Sequence, residues 1–89
     1  MAKVMAAIKI FPSDANIDMG LLKTKVQQSL PAGSTVQKFE EEPVAFGLVA
    51  LIAYVVLPED AGGHMDRVEA AIQGVDMVSQ IEVLRVGRF

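Results

Sequence analysis

From Val44 to Leu57 fourteen consecutive residues carry no charge, in a chain of only 89. Such a stretch has to be buried, and the ways of burying it are few. A membrane-spanning helix needs about 20 apolar residues, and this run falls short of that. Val44, Val49, Ile52, Tyr54, Val55 and Val56 are β-branched or aromatic, the types that a pleated, half-buried surface accommodates best. The run therefore predicts a long, mostly buried β-strand over 45–57. Ahead of it, "STVQKFEEEPV" predicts a second strand. Val36, Lys38, Glu40 and Glu42 fall on one face by simple alternation, with Thr35, Gln37, Phe39 and Glu41 on the other. Neither face is apolar, and Pro43 has no N–H for a ladder, so this is an edge strand.

The remaining segments fit around that hairpin. "KVMAAIKIFP" alternates, with Val4, Ala6, Ile8 and Ile10 on one face and Lys3, Met5, Ala7, Lys9 and Phe11 on the other, which predicts a strand ended by Pro12. "IDMGLLKTKVQQSLP" has helical spacing, with Asp18 as N-cap, Leu21, Leu22, Val26 and Leu30 as the apolar stripe, and Pro31 forcing an exit. After the loop "PEDAGG", "HMDRVEAAIQG" predicts a second helix with Met65, Val68, Ala71 and Ile72 inward and Gly74 as the stop. The last segment, "VDMVSQIEVLRVGRF", predicts a strand with an ambiguous inward face: Ile81 and Val83 favour one register and Leu84 and Val86 the other, which a bulge or a twist would reconcile. The order β–α–β–β–α–β predicts an α+β, ferredoxin-like sandwich: four antiparallel strands in the order 4-1-3-2, with both helices on one face. The length suits one domain, 1–89.

Composition narrows the chemistry. There is no cysteine, which excludes disulfides, iron–sulfur clusters and thiolate zinc sites and fits a reducing cytoplasm. The N-terminus lacks the unbroken apolar core of a signal peptide. Eight basic residues face eleven acidic ones, for a net charge of −3, so no basic field for nucleic acid is expected. Phe11, Phe46 and Tyr54 are too scattered for an RNA-stacking platform. The first β–α loop has no arginine to hold phosphate. His64, Met65 and Asp66 read as the start of a helix, with Asp66 at the positive end of its dipole, rather than as a metal site. Glu40, Glu41 and Glu42 alternate faces in a strand and do not converge on one reacting atom. No bond-making chemistry, cofactor or metal is expected. On fold alone, a small-ligand-sensing regulatory module or a structural homo-oligomer joined through its apolar sheet face stays open.

One segment is more specific. "EEEPVAFGLVAL", together with "IKIFP", "LPAGSTVQKF", the "GG" before the second helix and the closing strand, resembles the catalytic domain of translation elongation factor one beta, whose small archaeal-type form consists of that domain alone. The similarity runs along the whole chain. It implies a guanine nucleotide exchange factor in the cytoplasm that binds the GDP form of elongation factor one alpha and speeds GDP release, with no direct contact to nucleic acid or membrane. In larger relatives a basic residue near the C-terminus enters the magnesium end of the partner's nucleotide site, and the phenylalanine of the Phe-Gly corner grips a second domain of the partner. Those positions here are Arg88 and Phe46. Arg88 replaces a lysine, and a planar guanidinium is not interchangeable with a compact ammonium; Arg85 is a second candidate. Pro43, Gly47, Phe89, Glu41 and Glu42 complete the expected partner-binding set. With strand 3 taken as parallel to strand 1, Phe46 and Arg88 are expected to meet at one rim of the sheet, about 10 Å apart.

Overall fold

The computed structural model describes residues 3–45, 47–58 and 64–88. Alternation along the first strand sets its layers. In β1 (Lys3–Pro12), Ala6, Ile8 and Ile10 lose all solvent contact. They face two helices, α1 (Met19–Ser29) and α2 (His64–Gln73). Leu22 and Val26 of α1 and Val68 and Ile72 of α2 meet them in one apolar cluster. β2 (Thr35–Pro43), β3 (Val49–Pro58) and β4 (Val78–Arg88) complete the element order β–α–β–β–α–β. Leu51, Ala53, Val55 and Leu57 of β3 bring the longest apolar stretch onto the same face. From Val49 onward the charge-free run is thus a core strand, and no helix among the described residues is long and apolar enough to cross a membrane.

The sheet order is β2-β3-β1-β4, with every neighbouring pair antiparallel. This is the ferredoxin-like sandwich, with the predicted order of strands. One expectation fails. β3 runs antiparallel to β1, with Lys3 opposite Pro58 and Ile10 opposite Leu51. The crossover through α1 returns β2 in the direction of β1, and the β2–β3 hairpin then reverses it.

Local chemistry explains the boundaries. Asp18 caps α1, its Oδ1 accepting the Gly20 N–H at 2.9 Å and the Leu21 N–H at 3.3 Å. The buried positions of α1 are Leu22 and Val26, one helical step of four apart. Leu21, expected inside, is 47% exposed, because it sits about 100° around the helix from Leu22. β3 begins at Val49 rather than at 45. Val44, Ala45, Gly47 and Leu48 belong to the turn between strands.

Three register shifts adjust the outer strands, one of them near the start of β4, where Pro12 pairs with Val78 and Phe11 with Gln80, leaving Ser79 unpaired. On β4, Val83 pairs with Ile8 and Arg85 with Ala7, leaving Leu84 unpaired. The phase change in the sequence marks this position. On β2, Val36 pairs with Val55 and Lys38 with Tyr54, leaving Gln37 unpaired. That bulge overturns simple alternation: Val36 joins Phe39 and Glu41 on the helix side, and Thr35 joins Lys38, Glu40 and Glu42 on the other. Val36 and Phe39 both pack against the core, and their burial drives the shift.

Ile8 is completely buried on the central strand, so Ile8→Ala is expected to cost roughly 2–5 kcal/mol. A urea titration checks this: the midpoint falls while the slope stays the same.

Candidate functional site

The corner that links β2 to β3 is a tight turn. The Val44 N–H donates to the Leu48 carbonyl at 2.9 Å, and the Leu48 N–H donates to the Ala45 carbonyl at 3.2 Å. Gly47 sits at the third position of that turn with φ +76°, a region where L side chains are strained. A Cβ at Gly47 would meet nothing within 4 Å, so glycine supplies backbone freedom here and not space. Pro43 closes β2 opposite Val49 on an exposed edge, where a missing N–H removes no interior ladder bond. Phe46, the residue expected to grip the partner, lies outside the described residues.

The three glutamates before the corner each have a partner within the chain. Glu40 accepts a hydrogen bond from the Tyr54 hydroxyl at 2.7 Å, and Lys38 Nζ approaches it to 3.4 Å. Glu41, on the helix side, lies 3.3 Å from Lys23 Nζ of α1. Glu42, on the helix-free side, lies 2.7 Å from Lys9 Nζ of β1. The Lys9 link crosses β3, where Ile52 stands opposite Lys9 and Ala50 opposite Glu42. Ala50 is 0% exposed although it faces away from both helices. Lys9 also lies 5.4 Å from the Phe11 ring centroid, and Lys38 lies 4.8 Å from that of Tyr54, within cation–π range. The helix-free face is therefore laced with polar links and is not the plain apolar sheet face expected for a homo-oligomer. The hydrogen bond from Tyr54, with help from Lys38, holds the Glu40 carboxyl below its ordinary value. The same hydrogen bond raises the Tyr54 hydroxyl.

At the far end of the sheet, β4 carries the basic candidates. Arg85 pairs with Ala7 and Arg88 with Val4, so the backbone of β4 stays bound to the sheet through Arg88. Arg85 is exposed on the helix-free face, and its charge eases the Tyr54 hydroxyl downward against the stronger effect of Glu40. Val83, Leu84 and Val86 are 37%, 47% and 51% exposed on this edge strand of the sheet. Phe89 lies outside the described residues.

The expected convergence of corner and C-terminus on one rim does not occur. Arg88 pairs with Val4, whereas Leu51 pairs with Ile10, six residues further along β1. At ~3.3 Å per residue these points are about 20 Å apart, and Gly47 lies beyond Leu51. The antiparallel course of β3 puts the corner at one pole of a molecule 41 Å long and the C-terminal strand end at the other. Sequence reasoning missed Lys9, Lys23 and Tyr54, the partners of the glutamates.

Comparison with known proteins agrees with this architecture. The family model described as the EF-1 guanine nucleotide exchange domain matches residues 5–89. The chain belongs to that family. It is 42% identical over 88 residues to elongation factor 1-beta of Staphylothermus marinus, covering 99% of this chain and 98% of the relative. Elongation factor 1-beta of Natronomonas pharaonis is also 42% identical, with 99% of both chains covered. That of Methanothermobacter thermautotrophicus is 42% identical over 99% of this chain and 98% of its own. Among solved structures, the C-terminal domain of the MgtC protein from Mycobacterium tuberculosis aligns with a TM-score of 0.64 over 98% of this chain and 88% of that one. At 11% identity that likeness is one of fold alone.

Two outcomes follow from this geometry. Gly47→Ala is expected to destabilise the chain by about 1–2 kcal/mol through backbone strain alone, read from denaturant unfolding. In Tyr54→Phe, Glu40 loses its donor, and NMR titration is expected to find its carboxyl closer to its ordinary value of 4.5. Because the folded value of Glu40 is depressed, the stabilisation from the pair is present above the unfolded value and disappears as pH falls through the folded one. Because the folded value of Tyr54 is raised, it also disappears as pH rises through that value, above 10. The stability difference between wild type and Tyr54→Phe should therefore shrink on both flanks.

Proposed function

We infer that this chain is a guanine nucleotide exchange factor of translation elongation, acting in the cytoplasm on the GDP form of elongation factor one alpha. The observation that carries this reading is the match of residues 5–89 to the exchange-domain family, with relatives named elongation factor 1-beta covered almost from end to end. On this reading the whole chain, 1–89, is one exchange domain. It makes and breaks no covalent bond. It binds a GTPase and lowers the barrier to nucleotide departure, and a thousandfold acceleration requires about 4 kcal/mol.

The two poles divide that task. The corner, with Phe46, Pro43 and Gly47, grips one part of the partner. The end of β4, with Arg88 and Phe89, reaches the magnesium end of the nucleotide site, where a cation opposes the metal electrostatically. Arg85 supports it from three residues upstream. An antiparallel β3 suits two separate contacts better than one, because it sets the poles about 20 Å or more apart. Backbone pairing of Arg88 with Val4 also favours this role: a terminal residue carried by a strand costs less entropy to place than one on a frayed tail. Reciprocity requires that bound nucleotide weaken the factor's own grip by the same factor.

Release of fluorescently labelled GDP from elongation factor one alpha tests the reading. Wild type is expected to accelerate release. Arg88→Ala should lower the maximal rate at least about tenfold, with Arg88→Lys recovering most of it if charge alone acts there. Phe46→Ala should instead raise the half-saturating concentration, by about thirtyfold for a hot spot of about 2 kcal/mol. No acceleration by the wild-type chain would reject the function.

A further inference from the structure

β2 is an edge strand with only β3 as its hydrogen-bonding neighbour, and nearly all of its side chains are exposed. The end of such a strand has little to keep it from fraying. Yet β2 ends on the corner turn. The two residues before Pro43 point to opposite faces, and each is held by a lysine from a different element. Lys23 of α1 takes Glu41 from the helix side at 3.3 Å. Lys9 of β1 takes Glu42 from the helix-free side at 2.7 Å, with the Lys9 side chain only 18% exposed. The pair spans β3, where Ile52 stands opposite Lys9 and Ala50 opposite Glu42.

We propose that Lys9 and Lys23 are positioning residues for the exchange reaction: gripping Glu42 and Glu41 from the two faces of β2, they hold the adjoining corner turn in the geometry that meets the partner. The proposal rests on the exchange-factor reading. It gives Glu41 and Glu42 an internal role in place of direct contact with the partner. Ion pairs whose carboxylates are half open to solvent, as Glu41 and Glu42 are, are individually weak, so neither lysine matters much for global stability. A frayed edge is governed by small free energies, however, and apparent affinity falls in proportion to the fraction of molecules whose binding surface is formed.

The test uses the full chain with Lys9→Met and Lys23→Met, singly and together, in the labelled-GDP assay. Methionine keeps the length and apolar stem of each side chain and removes its charge. The double variant is expected to raise the half-saturating concentration about threefold, with the maximal rate within about twofold of wild type. Lys9→Arg with Lys23→Arg should restore the wild-type value. Hydrogen exchange supplies a readout independent of the partner: the Val44 and Leu48 amides, which close the turn, should exchange faster in the double methionine variant, while Ile8 on the central strand does not. Phe46→Ala is the control. If it raises half-saturation and the double methionine variant does not, or if the Val44 and Leu48 amides exchange at their wild-type rate, the positioning role is overturned and the exchange-factor reading stands. If Phe46→Ala has no effect on half-saturation, the corner is not a partner contact, and that part of the reading falls together with this inference.

Discussion

β1 exchanges backbone hydrogen bonds with β3 on one side and β4 on the other, and buries Ala6, Ile8 and Ile10 beneath both helices. Both kinds of bond need the same alternation. One face of β1 must be apolar for the helices to cover, and its register must bring Leu51, Ala53 and Val55 of β3 onto that same face. A slip of one residue would turn the apolar set of β3 away from the core. With that register set, the positions of both poles follow, because the corner is attached to the start of β3 and Arg88 ends β4.

The antiparallel course of β3 matters more for function than any single contact. It separates corner and C-terminus along a molecule 41 Å by 20 Å by 18 Å. On the proposed function, a factor of that shape touches a GTPase at two places at once, and the sheet between them fixes the spacing, which is what positioning from a scaffold contributes in general.

Much of this was legible in the chain. The order of elements follows from periodicity, and the N-cap Asp18 from local chemistry. The bulge at Leu84 announces itself because Ile81 and Val83 alternate in one phase and Val86 in the other. The edge character of β2 follows from its glutamates and Pro43. Other features left weaker signals. Val36 and Phe39 are three residues apart, and only their joint burial forces the bulge at Gln37. Gly47 could have marked the turn, but the apolar residues around it look like strand. Leu21 and Leu22 look alike in composition, and the helix axis alone decides which of them is buried.

The acidic triplet shows where local reading ends. As three consecutive charges on an edge it looks like a solvated surface or a patch for steering a partner. In the fold, Tyr54, Lys23 and Lys9 come to it from β3, α1 and β1. By itself the sequence determined the order of the elements, the apolar face of β1 and the family, because periodicity, turn chemistry and motif are written in neighbouring residues. Only the tertiary structure decided which charges meet and which ends of the sheet the two functional segments occupy, because strand direction and side-chain pairing depend on residues far apart in the chain, brought together by the burial of a common core.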